Sequence, residues 1–249
     1  MKKALLYLLL AIGITIVVML LCGAALGFAG NLVEGIIDYY FAVGMGILSI
    51  ACIALQIVFL RMRFASYTIG RIPKKKRKEV ISFTGMAMYG LALLYCTVSD
   101  PFVSNDESLR ASSAWIAQYP VPSFIGMAFI EATGDLIIYG AIMREILEWK
   151  HRPQIIVPVF ALIIGLISVC LSAPVLAIIT TITVMFQGYL YDFTRSVIPI
   201  IFGDICYWLI IVLLTGLSIP AWCFFIAAIL FVPGAYLALQ TMEPYKPID

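Results

Sequence analysis

Glu131, Asp135 and Asp204 interrupt stretches otherwise apolar enough to cross a membrane, and they are the residues through which this chain could do chemistry. An ionised side chain at the centre of a bilayer costs about 2.5–3.5 kcal/mol on insertion scales. Such groups face the interior of a helix bundle or a water-filled cavity and find partners there. Glu131 and Asp135 are spaced i, i+4, so a helix stacks them a turn apart on one face, and Tyr139 continues the stripe. At a rise of about 1.5 Å per residue, Glu131 lies roughly 16 Å and Asp135 roughly 22 Å beyond Pro120, while Asp204 lies roughly 12 Å into its own span from the opposite side. Asp135 and Asp204 can therefore meet. The expected cavity lining is Glu131, Asp135, Tyr139, Gln187, Asp204 and Tyr207, with Thr180, Thr181 and Thr183 as nearby donors.

Three kinds of chemistry fit this cluster. It is a hydrogen-bonded structural network in which at least one carboxyl keeps its proton, a cation or proton path, or a catalytic site with one carboxylate as general base for water. The same stretches contain no His, Lys or Arg, so a catalytic carboxylate lacks the usual imidazole and a bound oxyanion lacks a cation. The exterior half of the fourth span, Val121 to Ile130, is largely apolar, which disfavours a continuous path for a proton- or cation-coupled carrier.

The elements that must position these residues are membrane spans. Of the 249 residues, 63% are hydrophobic and 12% charged, against about 25% charged in a soluble domain. With about 20 apolar residues per crossing, the runs predict eight helices at roughly 4–28, 39–62, 80–98, 120–144, 154–172, 174–192, 196–216 and 218–240. The expected fold is thus all-α, a single polytopic bundle over residues 1–249 in contact with lipid. Eight spans place 15 of the 16 Lys and Arg on one side, leaving Arg110 opposite, so both termini are expected in the cytoplasm. The apolar run from Ala4 to Phe28 exceeds the 7–15 residues of a signal-peptide core and is read as a retained anchor.

Several smaller features read as structural. Lys74-Lys75-Lys76-Arg77-Lys78 beside a span is a topology determinant touching anionic headgroups, and nucleic acid is not an expected partner. The six cysteines lie in or beside spans without CxxC spacing and His151 is the lone histidine, so no metal site and no cofactor is expected. Gly23 and Gly27 form a GxxxG. Ser104 to Ser108 reads as a solvated turn in the longest exterior segment, and Ala114–Tyr119 as either a surface-lying stretch or plain loop, with Trp115 and Tyr119 at belt height.

Three segments carry a pattern. Gly134-Asp135-Leu136-Ile137-Ile138-Tyr139-Gly140 precedes a basic stretch, and Phe160-Ala161-Leu162-Ile163-Ile164 follows it. Farther on, Phe186-Gln187-Gly188-Tyr189-Leu190-Tyr191-Asp192-Phe193-Thr194-Arg195-Ser196 leads through Pro199 to Asp204 and Trp208. Over about 90 residues this frame resembles the CAAX-protease and bacteriocin-processing family of eight-helix intramembrane glutamic-type proteases. The resemblance implies that the family's paired glutamates stand at Gly134 and Asp135, its arginine at Tyr139, its histidines at Ile164 and Asp204, and its asparagine at Trp208. No activating side chain survives unchanged. The resemblance therefore implies the fold without the protease: a catalytically inactive relative in a bacterial plasma membrane, acting as a binding or accessory subunit for a membrane protein, a transporter or sensor assembly, a peptide or a lipid. The competing expectation is a hydrolase with a shifted site built from Glu131, Asp135 and Asp204.

Overall fold

Prolines set where the helices begin. The structure, a computed structural model, describes Leu9 and residues 72–103, 107–149, 152–169 and 174–241. Apart from Leu9, the expected spans 4–28 and 39–62, the Gly23–Gly27 pair, Cys22, Cys52, Cys170, Lys150, His151 and residues 104–106 lie outside the described residues. What is described is all-helical. The helices are α1 (Arg77–Val103), α2 (Glu107–Gln118), α3 (Pro120–Ile137), a π-helical segment (Ile138–Met143), α4 (Arg144–Trp149), α5 (Pro153–Val169), α6 (Pro174–Thr194), α7 (Ile198–Leu214) and α8 (Cys223–Gln240). Pro120, Pro153 and Pro174 open their helices and Pro199 sits in the first turn of α7. A first-turn N–H has no helical acceptor, and the ring already holds φ near the helical value.

The helices α1, α6 and α8 are each long and apolar enough to cross a membrane, and α5 and α7 are apolar but shorter, at 17 residues each. Leu162, Leu166, Phe225, Ile229 and Val232 project outward from α5 and α8. An exterior of this kind fits a membrane protein.

Two departures from the expected elements matter. The fourth run was expected as a helix over 120–144; it instead widens into a π segment after Ile137 and continues in α form to Trp149. The plain-loop alternative for Ala114–Tyr119 does not hold, because Glu107–Gln118 is helical, and Glu107 and Ser108 belong to its first turn and not to a solvated loop. Alanine, glutamine and arginine are good helix formers, and the Trp115 and Tyr119 rings lie 6.1 Å apart at the helix end.

Helix α1 is the centre of the assembly. Its widest contact is with α8, its next with α7, while α3 packs on α7 and α5 pairs with α6. The α1–α8 pair approaches backbone to backbone. A Cβ built on Gly90 would lie 2.6 Å from Phe231 N, and one on Gly234 would lie 2.7 Å from Ala87 N. Small residues permit such approach where lipid tails are as apolar as the partner helix. The main core runs through Met88, Leu91, Tyr139, Met143, Leu190, Tyr191 and Ile200.

Consecutive α6 and α7 touch little along their lengths. Between them Arg195 adopts φ 49°, the left-handed region, which sends α7 away from α6. The turn is tied locally. Thr194 Oγ1 donates to Leu190 O at 2.7 Å and accepts from Ser196 N at 3.2 Å. The Arg195 guanidinium reaches Asp192 Oδ1 at 2.9 Å and lies 6.0 Å from the Tyr191 ring centre. Tyr191, Thr194 and Ser196 thus form the corner that aims α7 at α1 and α3.

Candidate functional site

The wedge left between α6 and the α1–α3–α7 group holds the acids. One face of α6 lines it: Leu176, Thr180, Thr183, Val184 and Gln187, spaced at helical turns over about 16 Å. Glu131 from α3, Tyr95 from α1, and Asp204, Tyr207 and Trp208 from α7 close the other side around a cavity of about 270 Å³.

A chain of side-chain hydrogen bonds crosses the cavity floor. Tyr139 Oη donates to Gln187 Oε1 at 2.8 Å, and Gln187 Nε2 donates to Asp204 Oδ1 at 2.7 Å. The Asp135 carboxyl is buried next to that of Asp204. Trp208 Nε1 donates to Glu131 Oε1 at 3.2 Å. Tyr139 is 1% exposed, Asp135 4%, and Gln187 and Asp204 5% each, while Glu131 and Trp208 are half-buried. The π segment belongs to this construction, because it carries Tyr139 out of strict α register at the point where the ring meets Gln187 and stacks 6.2 Å from Tyr191.

The structure brings Glu131, Asp135, Tyr139, Gln187, Asp204 and Tyr207 into one neighbourhood, in two ranks. Glu131, Gln187, Asp204 and Tyr207 face the cavity; Asp135 and Tyr139 are not in its wall and stand behind Asp204 and Gln187. The threonines do not serve as donors to the acids. Thr180, Thr181 and Thr183 donate to the carbonyls four residues back, of Leu176, Ala177 and Ile179, the usual local use of a hydroxyl inside a helix.

Trp208 and Tyr95 were not among the expected lining residues. Trp208 carried a legible signal: it lies one turn from Asp204 on the same face, and a buried indole N–H needs an acceptor. Tyr95 carried none. Ile164 lies on α5 and does not line the cavity, and a Cβ at Gly134 would meet no atom within 4 Å.

Beyond Tyr95 and Trp208 lies a second cavity of about 480 Å³, walled by the ends of α1 and α7, by α2 and α3, and by the turn from Thr215 to Ile219. Gly216 makes that turn with φ 83°. Tyr207 meets Tyr95 edge-on at 6.2 Å and Trp208 at 5.8 Å, so an aromatic cluster separates the two spaces. Among the described residues no three His, Cys, Asp or Glu side chains are arranged to hold a metal ion.

Fold and site together define a helical protein of membrane-type apolarity with a buried, acid-lined cavity. No known protein family, no curated protein and no solved structure matches the chain.

Proposed function

We propose that the chain is a multi-pass protein of a bacterial plasma membrane, both termini cytoplasmic, and a degenerate member of the CAAX-protease and bacteriocin-processing family. It binds a membrane protein, peptide or lipid at its cleft and does not cut it. The supporting observation is the use made of the motif positions. Tyr139 and Asp204 are joined through Gln187 into one hydrogen-bonded chain with Asp135 buried beside it, and Trp208 is bonded to Glu131. Among the described residues no histidine, lysine or arginine lines the cavity, so the acids have no imidazole beside them and no cation there neutralises an oxyanion. The purified protein is expected to leave membrane-inserted peptides intact and to co-purify with a partner in mild detergent. Peptide cleavage that stops in Asp135→Asn would sink the reading.

One observation favours the shifted hydrolase as the second reading. The cavity touches both Glu131 and Asp204 with Asp135 behind them, and at about 30 Å³ per molecule its volume admits several waters. Cleavage abolished by both Glu131→Gln and Asp204→Asn would establish that alternative.

A further inference from the structure

We propose that the turn Lys74–Lys78 docks the headgroup of an anionic phospholipid at the end of the bundle where α1 begins and α8 finishes. The site lies apart from the cleft and rests on the chain being a membrane protein. Helices α1 and α8 run antiparallel, since Gly90 packs on Phe231 and Gly234 on Ala87. Helices α1 and α7 run parallel, since Gly203 meets Thr84 and Met88 while Ala92 and Cys96 cluster with Ile210 and Ile211. The starts of α1 and α7 therefore share one end with the finish of α8. Helix α1 is long and apolar enough to cross a membrane from Arg77 onward, which sets residues 74–78 at the depth of the headgroups.

The turn differs from a run of charge that merely orients a span. It is held in place. Ile72 just before it is buried in the main core, Lys76 N and Arg77 N donate to Pro73 O at 2.9 and 3.1 Å, and Lys76 Nζ donates to Thr241 O at 2.9 Å, at the end of α8. Its charge is also unspent. Arg144 and Arg195 are taken by Glu148 and Asp192, whereas among the described residues the side chains of Lys74, Lys75, Arg77 and Lys78 have no hydrogen-bonded or ionic partner, Glu79 beside them included. Lys74, Lys75 and Lys78 are exposed. Five cations against one acid in six residues attract an anionic headgroup. The apolar Val232 and Tyr236, turned outward in the last turns of α8, offer a surface for its acyl chains, which a free phosphate would not use.

The experiment measures lipid binding to the full chain in neutral detergent, with phosphatidylglycerol and phosphatidylcholine of the same acyl chains. Each basic side chain near an anionic surface contributes about fivefold in affinity. Phosphatidylglycerol is therefore expected to bind saturably and about tenfold or more tighter than phosphatidylcholine. Lys74→Gln combined with Lys75→Gln and Lys78→Gln is expected to weaken it about a hundredfold and to leave phosphatidylcholine unchanged. Arginine at the same three positions keeps the charge and is expected to keep the binding. Equal affinity for the two lipids overturns the proposal, as does a neutralised variant that holds phosphatidylglycerol like the natural chain. Displacement of the lipid by inorganic phosphate at equal concentration would assign the turn to a soluble anion and overturns it too. If the lipids bind alike while the chain resists extraction from its membrane by alkaline carbonate, the docking site is wrong and the membrane reading stands; a chain that carbonate strips off overturns the membrane reading itself.

Discussion

Gln187→Leu is the sharpest probe of the cavity floor. Leucine nearly conserves volume and keeps the helix, so the change removes hydrogen bonds without opening a large hole. Two bonds go, the 2.8 Å bond from Tyr139 Oη and the 2.7 Å bond to Asp204 Oδ1. Their partners are 1% and 5% exposed, and Tyr139 stands outside the cavity wall, so water does not replace its lost bond. Measured hydrogen bonds between helices in a membrane average about 0.6 kcal/mol and reach about 1.7, which gives roughly 1–3 kcal/mol for the pair. A buried group left without a partner costs about 1–3 kcal/mol, which gives roughly 2–6 for two. The ranges overlap at about 2–3 kcal/mol, and that is the expected loss. At about 2–4 °C per kcal/mol for a chain of this size, the midpoint in a detergent melt falls by roughly 4–12 °C. Tyr139→Phe removes the first of the same two bonds, so Gln187→Leu with Tyr139→Phe should cost about 1 kcal/mol less than the sum of the singles. A Gln187→Leu variant within about 0.5 kcal/mol of the natural chain, or singles that simply add, would refute the chain of bonds as described.

Two further outcomes test the scaffold. Gly90→Leu drives a side chain into the Phe231 and Ala227 backbone, where even a Cβ comes within 2.7 Å; equilibrium unfolding should show a loss of about 1–3 kcal/mol, and an unchanged midpoint would mean that α1 and α8 do not approach so closely. Arg195→Gly relieves a left-handed backbone costing about 1–2 kcal/mol but takes the guanidinium from Asp192, whose side chain is 4% exposed. Breaking a buried pair costs about 3–5 kcal/mol, so the net change is a destabilisation of about 2 kcal/mol, and a stabilised glycine variant would show that the backbone strain outweighs the pair.

Much of this arrangement was legible because each signal was local. Apolar runs of crossing length located the described spans to within a few residues, though not the helix Glu107–Gln118, which is not apolar enough to show as a run. The i, i+4 spacing put Glu131 and Asp135 on one face, and counting rise per residue brought Asp135 level with Asp204. The π segment was not legible. Ile138 to Met143 reads as ordinary apolar helix, and the extra residue is favoured only by tertiary contacts of Tyr139 with Gln187 and Tyr191. The threonines misled for a related reason. A hydroxyl inside a helix has a carbonyl of its own chain within reach, so proximity to the acids did not make Thr180 or Thr183 their donors. Nor could spacing foresee that Trp208 would reach across to Glu131, because the two lie on different helices 77 residues apart.

On the proposed family reading, the altered positions argue for a changed use of the cleft rather than decay. Replacement of catalytic residues without a new role would leave stray polar groups in an apolar bundle, each costing about 1–3 kcal/mol. Here the replacements engage one another. Asp204 takes an amide N–H from Gln187, Tyr139 holds that amide from its other side, and Trp208 supplies an indole N–H to Glu131, an acid with no place in the motif. The set is internally consistent except at one atom, Asp135 Oδ2.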